Sequence, residues 1–383
     1  MVAQQTSLKA QLVTCVQSYF SKGLLSKAYG TAELLQEMKQ GGTKNGDTSI
    51  YFSTAVQVAT ELFCGLSAKP WFTFDGVAAS LHESIVNNLR AQLLKIDSPV
   101  QLADYFSKLA APISYPTKVL YQEYLRRFAF VRANPTKMNR DTLHWVQQAL
   151  SIYKWIDHYM LDKAILIDLG TSSLQFVSNQ QVSYTLKAIV GKPTTPTPFF
   201  AAWATQLVLY PYWFVPNSIA AEEMLPKIKK DKAWLSRQNM QVFDKLGRAL
   251  NSDTINWRKF TAHYFPYTLR QSTGCDNALG LLKIELSSPY GVYIHDTNNK
   301  AAFLATKRFL SHGCIRVEEP FQLGNSLLSE KLDTTFLQSC LLAQKPVYKR
   351  FSTPIPVFSF YSLAHPNATG QIVFTPDRYS LFK

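Results

Sequence analysis

The spacing of apolar residues changes once along this chain, near residue 160, and that change limits what each part can fold into. Before it, residues 8–29, 75–95, 114–130 and 141–159 carry apolar side chains at helical spacing, which predicts helices packed through one face each. Glycine, asparagine and proline interrupt the pattern at 40–47 and 133–136. Asp141, just ahead of a periodic run, is placed as an N-cap. From residue 161 the period becomes two, and 164–169, 173–178 and 182–190 read as strands joined by short polar turns. Pro193, Pro196 and Pro198 then exclude a central strand. A strand-like, aromatic-rich run covers 203–216, and residues 217–270 turn helical and basic. The sheet resumes at 281–295, and 357–361 with 371–374 reads as a hairpin.

These periods predict an α+β molecule. A helical domain at 1–160 precedes a mostly antiparallel β domain at 161–383, with a helical insertion at 217–271 and a C-terminal hairpin at 356–383. Hydrophobic residues make up 46% and charged residues 17%, enough apolar material for a real core and too much for a disordered chain. The net charge of +14 suits an anionic partner, such as a carboxylate-bearing polymer or a membrane surface. Its positive residues are dispersed, however, with the densest run at 227–232, and no nucleic-acid module is recognisable, so no nucleic-acid partner is expected. The five cysteines form no CxxC pair and the seven histidines no HExxH cluster, so neither a metal nor a cofactor is expected. The odd cysteine count leaves one unpaired, and Cys314 is the natural candidate. The first residues lack a basic segment followed by an apolar one, and no run approaches the ~20 apolar residues of a membrane span. The chain as given reads as soluble, peripheral to a membrane at most.

Ser311-His312-Gly313-Cys314-Ile315-Arg316 is the stretch that carries chemistry. A buried structural thiol is the plain reading of a lone cysteine, but this one has His312 and Gly313 before it and Arg316 after it. His295 lies upstream at the end of a strand-like run. A thiol attacks as thiolate and needs a base within hydrogen-bond reach, itself oriented by a third group. His295 suits the base, and the backbone carbonyl of Asp296 suits the orienting group. A turn at Gly313 and Cys314 can aim backbone N–H groups at a developing oxyanion. The chain therefore reads as a cysteine acyl-transfer enzyme.

His295 followed by Ser311-His312-Gly313-Cys314 resembles the signature of the L,D-transpeptidases, the YkuD-like family of peptidoglycan cross-linking enzymes. Leu209-Tyr210-Pro211-Tyr212-Trp213-Phe214-Val215-Pro216, Asn277-Ala278-Leu279-Gly280, Tyr293-Ile294-His295-Asp296-Thr297 and Gly370-Gln371-Ile372-Val373-Phe374 resemble its large YcbB-type branch, and the likeness runs over about 145–383. The resemblance implies that Cys314 attacks the carbonyl between diaminopimelate and the terminal D-alanine of a tetrapeptide stem. D-Alanine leaves and a thioester remains. An amine of a second stem then takes the acyl group, linking two diaminopimelates. His295 serves as base and acid, while N–H groups around Gly313 and Cys314, with Tyr293, hold the oxyanion. Ser311 shapes the loop, His312 does the same or serves as a second base, a role that would be redundant beside His295, and Arg316 fixes that loop or a substrate carboxylate. Asp296 offers its side chain as an alternative to its carbonyl. Trp213 and Tyr212 line the substrate groove, and the 217–271 insertion caps it. Stem peptides are the implied partners, carbapenems the implied inhibitors and the periplasm the implied location. Protein partners are not implied. The branch's small peptidoglycan-binding domain has no counterpart here. Cys275 is taken as incidental, with Cys314 as its prospective partner in an oxidising compartment. The same thioester also serves an L,D-carboxypeptidase or an enzyme that attaches a protein to the wall or detaches it. A wall-binding scaffold with a decayed site is the non-enzymatic alternative.

Overall fold

A computed structural model describes residues 2–25, 48–65, 77–159, 162–342 and 344–382. Among the described residues six helices come first: α1 (Val2–Ser21), α2 (Thr48–Cys64), α3 (Val77–Leu93), α4 (Pro99–Ala110), α5 (Tyr115–Ala133) and α6 (Lys137–Tyr159). α4 and α5 start on serine caps, where the Ser98 and Ser114 side chains accept from the Gln101 and Thr117 N–H groups, each with a proline in the first turn. The sequence pattern missed α2 and α4. α2 is rich in threonine, valine and aromatics, which periodicity alone does not separate from a strand. α1 stops at Ser21, short of the expected residue 29, because the chain turns at Gly23 with φ +72°. α6 starts at Lys137, so Asp141 is not its N-cap but lies inside it, 2.7 Å from Lys137 Nζ. The expected break at 40–47 lies outside the described residues.

The β part comprises β1 (Lys163–Asp168), β2 (Ser173–Ser178), β3 (Gln181–Gly191), β4 (Phe200–Leu209), β5 (Trp213–Phe214), β6 (Met240–Phe243), β7 (Ala249–Leu250), β8 (Thr268–Gln271), β9 (Leu282–Leu286), β10 (Ile294–His295), β11 (Phe309–Ser311), β12 (Ile315–Val317), β13 (Val347–Phe360), β14 (Ala364–Pro366) and β15 (Ile372–Phe374). Nine of these form one sheet in the order β11-β3-β12-β10-β9-β4-β13-β1-β2. β3 also pairs with β2 through its first half and with β12 through its second, so the sheet closes on itself. Most pairs are antiparallel, while β1–β13, β10–β12 and β11–β3 are parallel.

Alternation along the strands assigns each face to a different core. Ile165 and Ile167 of β1 and Val357 of β13 point into the closed sheet, where they meet Leu207, Leu282, Ile284 and Ile294. Ala164, Leu166, Phe358 and Phe360 face outward, into the core built by the helices around Phe106, Leu120, Tyr153 and Trp155. Tyr153 of α6 meets Phe360 edge-on at 5.5 Å between ring centroids. Helices and sheet thus share one apolar seam.

Three expectations need correction. Residues 357–361 do not pair with 371–374. Residues 357–360 end β13, which pairs with β4 and β1; its last six residues are all buried, and burial on two faces requires a central strand. The hairpin present is β14–β15. The run 281–295 is not continuous, because the chain bends at Gly291, φ +63°, and only Ile294–His295 rejoin the sheet. The 217–271 insertion is mixed, not helical. A π-helical turn (Ile219–Met224), α7 (Leu225–Lys230) and α8 (Trp234–Arg237) pack on a four-stranded sheet ordered β5-β8-β6-β7, around Trp257, Leu269 and Ile228. Asp231 ends the basic helix there, and Met240–Phe243 and Thr268–Gln271 find each other as strands.

Candidate active site

β10 and β12 lie side by side in parallel, with Ile294 opposite Ile315 and His295 opposite Arg316. The pairing extends one step back, where the Ile315 N–H donates to the Tyr293 carbonyl at 3.1 Å. With a side-chain period of two, Tyr293 and His295 on one strand and Cys314 and Arg316 on the other share a face. On the other side of β10, Lys283 of β9 stands opposite His295, its ammonium 4.5 Å from the centre of the Tyr293 ring. Sequence analysis missed Lys283; its place beside His295 follows only from strand pairing.

His295 is almost fully buried, and its Nδ1 lies 2.5 Å from the Asp296 carbonyl oxygen. A carbonyl only accepts, so Nδ1 carries the proton and Nε2 keeps its lone pair. Burial first, then the positive charges of Arg316 and Lys283, push the imidazole down to about 3, against the raising effect of the Asp296 carbonyl. At neutral pH the ring is an uncharged base. The Asp296 carboxylate turns away from that ring. It accepts from Leu281 N–H at 2.9 Å and Thr297 N–H at 2.7 Å, and it pairs with Lys300. Gly280 makes room for it at φ +60°, because a Cβ there would stand 2.2 Å from Asp296 Oδ2.

Cys314 is half-buried, and burial raises its thiol. Opposing this, the Tyr293 backbone N–H and hydroxyl both donate to the sulfur, and Lys283 and Arg316 add positive charge. Tyr293 takes a further hydrogen bond from the Trp213 indole, and its ring centroid lies 5.4 Å from that of His295. Arg316 is packed in with its Nε buried and without a hydrogen-bond partner. A guanidinium held this way is a prepared site for an anion.

The turn that carries Cys314 is clamped from both sides. Ser311 Oγ donates to the Cys314 carbonyl at 2.6 Å and accepts from Gly313 N–H at 3.2 Å. Gly313 adopts φ +120°, a conformation for glycine alone. Its carbonyl accepts from Thr197 Oγ1 at 2.8 Å, and the Lys192 N–H donates to the Ser311 carbonyl at 2.9 Å, so the proline-rich loop braces the turn. His312 points elsewhere, to Glu223 of the insertion at 2.6 Å. Tyr212 does not join the cluster; it stacks under Arg270, 4.2 Å away, with Phe214 and Phe243 near the same guanidinium. Cys275 is bonded to Cys340, which corrects the expected pairing with Cys314 and leaves Cys314 free. Among the described residues no group of three histidine, cysteine or acidic side chains could hold a metal ion, and no helix is long and apolar enough to cross a membrane.

Comparison with known proteins finds likenesses over part of the chain. A Haemophilus influenzae protein provisionally named an L,D-transpeptidase is 33% identical over 219 residues, covering 56% of this chain and 44% of that protein, so the chain matches less than half of that relative's length. Among solved structures, an L,D-transpeptidase from Mycobacterium smegmatis matches 52% of this chain and 58% of its own at 15% identity, TM-score 0.24. L,D-transpeptidase 3 from Mycobacterium tuberculosis matches 52% and 61% at 10% identity, TM-score 0.25. The family model of the L,D-transpeptidase catalytic domain matches residues 162–329, a span that contains His295, Cys314 and Arg316. The matching model is that of the YkuD L,D-transpeptidase catalytic domain, and it covers less than half of this chain.

Proposed function

We propose that this protein is a peptidoglycan L,D-transpeptidase of the YcbB type with Cys314 as its nucleophile. The observation that carries the reading is the shared face of β10 and β12, which sets Tyr293, His295, Cys314 and Arg316 together inside the matched domain. His295 Nε2 accepts the thiol proton as sulfur attacks the carbonyl between diaminopimelate and D-alanine, and then returns it to the departing D-alanine amine. Arg316 and Lys283 favour the thiolate as it forms, and Arg316 receives a carboxylate of the stem. N–H groups of the Gly313–Cys314 turn, with the Tyr293 hydroxyl, stabilise the oxyanion. Attack by the amine of a second stem releases Cys314 and forms the diaminopimelate–diaminopimelate link. The insertion at 217–271 caps the groove, a role supported by Glu223 reaching the nucleophile turn. Trp213 forms part of the groove wall, whereas Tyr212 braces Arg270. Action on peptidoglycan fits a periplasmic setting.

A carbapenem tests the nucleophile. Intact-protein mass spectrometry is expected to show one drug mass added to the wild type and none to Cys314→Ala. An adduct on Cys314→Ala would remove Cys314 from the role.

A further inference from the structure

The cross-linking half of the reaction needs a nucleophile that arrives in the wrong protonation state. A primary amine is an ammonium at neutral pH, with an ordinary pKa of about 10.4 for a lysine-like group, and must lose a proton before it attacks the thioester. The first half returns His295 to a neutral base, which serves the proton the amine loses as the amide forms; the earlier proton of the ammonium calls for a second base, and His312, paired with Glu223, stands two residues from the nucleophile. We propose that Glu223 and His312 form the acceptor side of the site, with Glu223 attracting the ammonium of the second stem and His312 taking its proton. The inference rests on the transpeptidase reading above.

The geometry supplies the chemistry. Glu223 Oε1 lies 2.6 Å from His312 Nε2. A carboxylate only accepts, so Nε2 carries a proton and Nδ1 is the nitrogen that can take one from the acceptor. This is the polarity of a carboxylate-oriented histidine base. Glu223 sits in a π-helical turn, where the Leu225 N–H reaches back to the Ala220 carbonyl. That turn buries Ala220, Ala221 and Met224 and leaves Glu223 facing outward. π-Helical turns recur at functional sites because they redirect a side chain at local cost. Lys192 Nζ lies 3.5 Å from the same His312 nitrogen, so the site already accommodates a primary ammonium next to the pair. Its charge does not cancel the arrangement, since the shorter contact assigns the Nε2 proton to Glu223. The charges around Cys314 are then divided between two tasks. Arg316 and Lys283 face the donor's carboxylate, and Glu223 with His312 faces the acceptor's amine.

The step balances. The acceptor ammonium gives one proton to His312 Nδ1, and the neutral amine adds to the thioester carbonyl. The C–S bond breaks as the amide forms. The second amine proton passes to His295 Nε2 as the amide forms, and His295 returns it to Cys314, which leaves as thiolate.

The test separates the two half-reactions. Disaccharide-tetrapeptide monomers containing diaminopimelate are incubated with wild type, Glu223→Gln and Glu223→Asp, and D-alanine release, cross-linked dimer and tripeptide are quantified together. Glu223→Gln is expected to release D-alanine normally while the ratio of dimer to tripeptide falls about tenfold or more, with partial recovery in Glu223→Asp. An unchanged ratio would overturn the inference and leave the transpeptidase reading intact. An equal loss of D-alanine release and dimer would also overturn it, identifying the pair as a latch between insertion and nucleophile turn. A wild type that releases no D-alanine would overturn the underlying reading and the inference with it.

Discussion

The role proposed for Cys314 depends on what its neighbours do to protons. His295 is held uncharged by burial and by the cations of Arg316 and Lys283. The resting pair is therefore thiol and neutral imidazole, with the thiolate stabilised by cations and by Tyr293 as it appears. The depressed histidine has a stability consequence of definite sign. Its folded value, about 3, lies below the unfolded value of about 6.5, so between those limits the unfolded chain binds more protons than the native one. Stability rises with pH through that window and is lost as pH falls. His295→Asn removes this cause, so its melting temperature is expected to fall less than that of the wild type between pH 6.5 and 4, measured by circular dichroism. A variant with the same acid sensitivity as the wild type would show that His295 is not held neutral. At this scale much was legible, because Ser311 to Arg316 are contiguous and His295 ends a recognisable run. Lys283, Thr197 and Glu223 were not. They reach the site through strand pairing, a loop and an insertion, none of which sequence spacing reports.

The elements matter through the way they fix the turn and the base. Asp296 holds the Leu281 N–H and Lys300 with its carboxylate and His295 with its carbonyl, so the loop before β9 controls the base from behind. Gly280 is the hinge of that arrangement. In Gly280→Ala the new methyl would meet the Asp296 carboxylate at 2.2 Å, on backbone already in the left-handed region at φ +60°. A cost of about 1–3 kcal/mol is expected, with acyl-enzyme formation slowed more than tenfold by the displaced histidine. Thermal denaturation and stopped-flow acylation check the two parts, and normal acylation would show that Asp296 does not position the base. The long, strongly patterned elements, α5, α6, β1, β2 and β3, were legible in the sequence. β13 was misread because its outward and inward residues serve two cores, so it shows no polar face to mark it as a strand between two others. The insertion was misread because its strands are two to four residues long, below what alternation can signal.

Over the whole molecule, the closed sheet stands between its own interior and the helical core. β1 and β13 contribute alternate residues to each, which couples helices and sheet mechanically. The Cys275–Cys340 bond adds a covalent tie, joining the loop ahead of β9 to the segment after α9 (Thr334–Gln338) across 65 residues. Gln271 and Ser272 beside that loop bond to Gln238 and Asn239 of the insertion, so the tie also anchors the insertion to the closed sheet. A loop of this length contributes about 4 kcal/mol by restricting the unfolded chain. Cys275→Ser therefore carries a cost in stability. Its melting temperature is expected to fall by several degrees relative to the oxidised wild type, and equal melting curves would show that the bond does not form. The pairing was illegible beforehand because nothing in the spacing of five cysteines identifies partners.

The central claim is that Cys314 and His295 carry out acyl transfer on a tetrapeptide stem. The direct measurement is mass spectrometry of purified tetrapeptide muropeptides after incubation with wild type, Cys314→Ala and His295→Ala. The account predicts cross-linked dimers lacking one D-alanine with the wild type and unchanged substrate with both variants. Dimers formed by Cys314→Ala would contradict it.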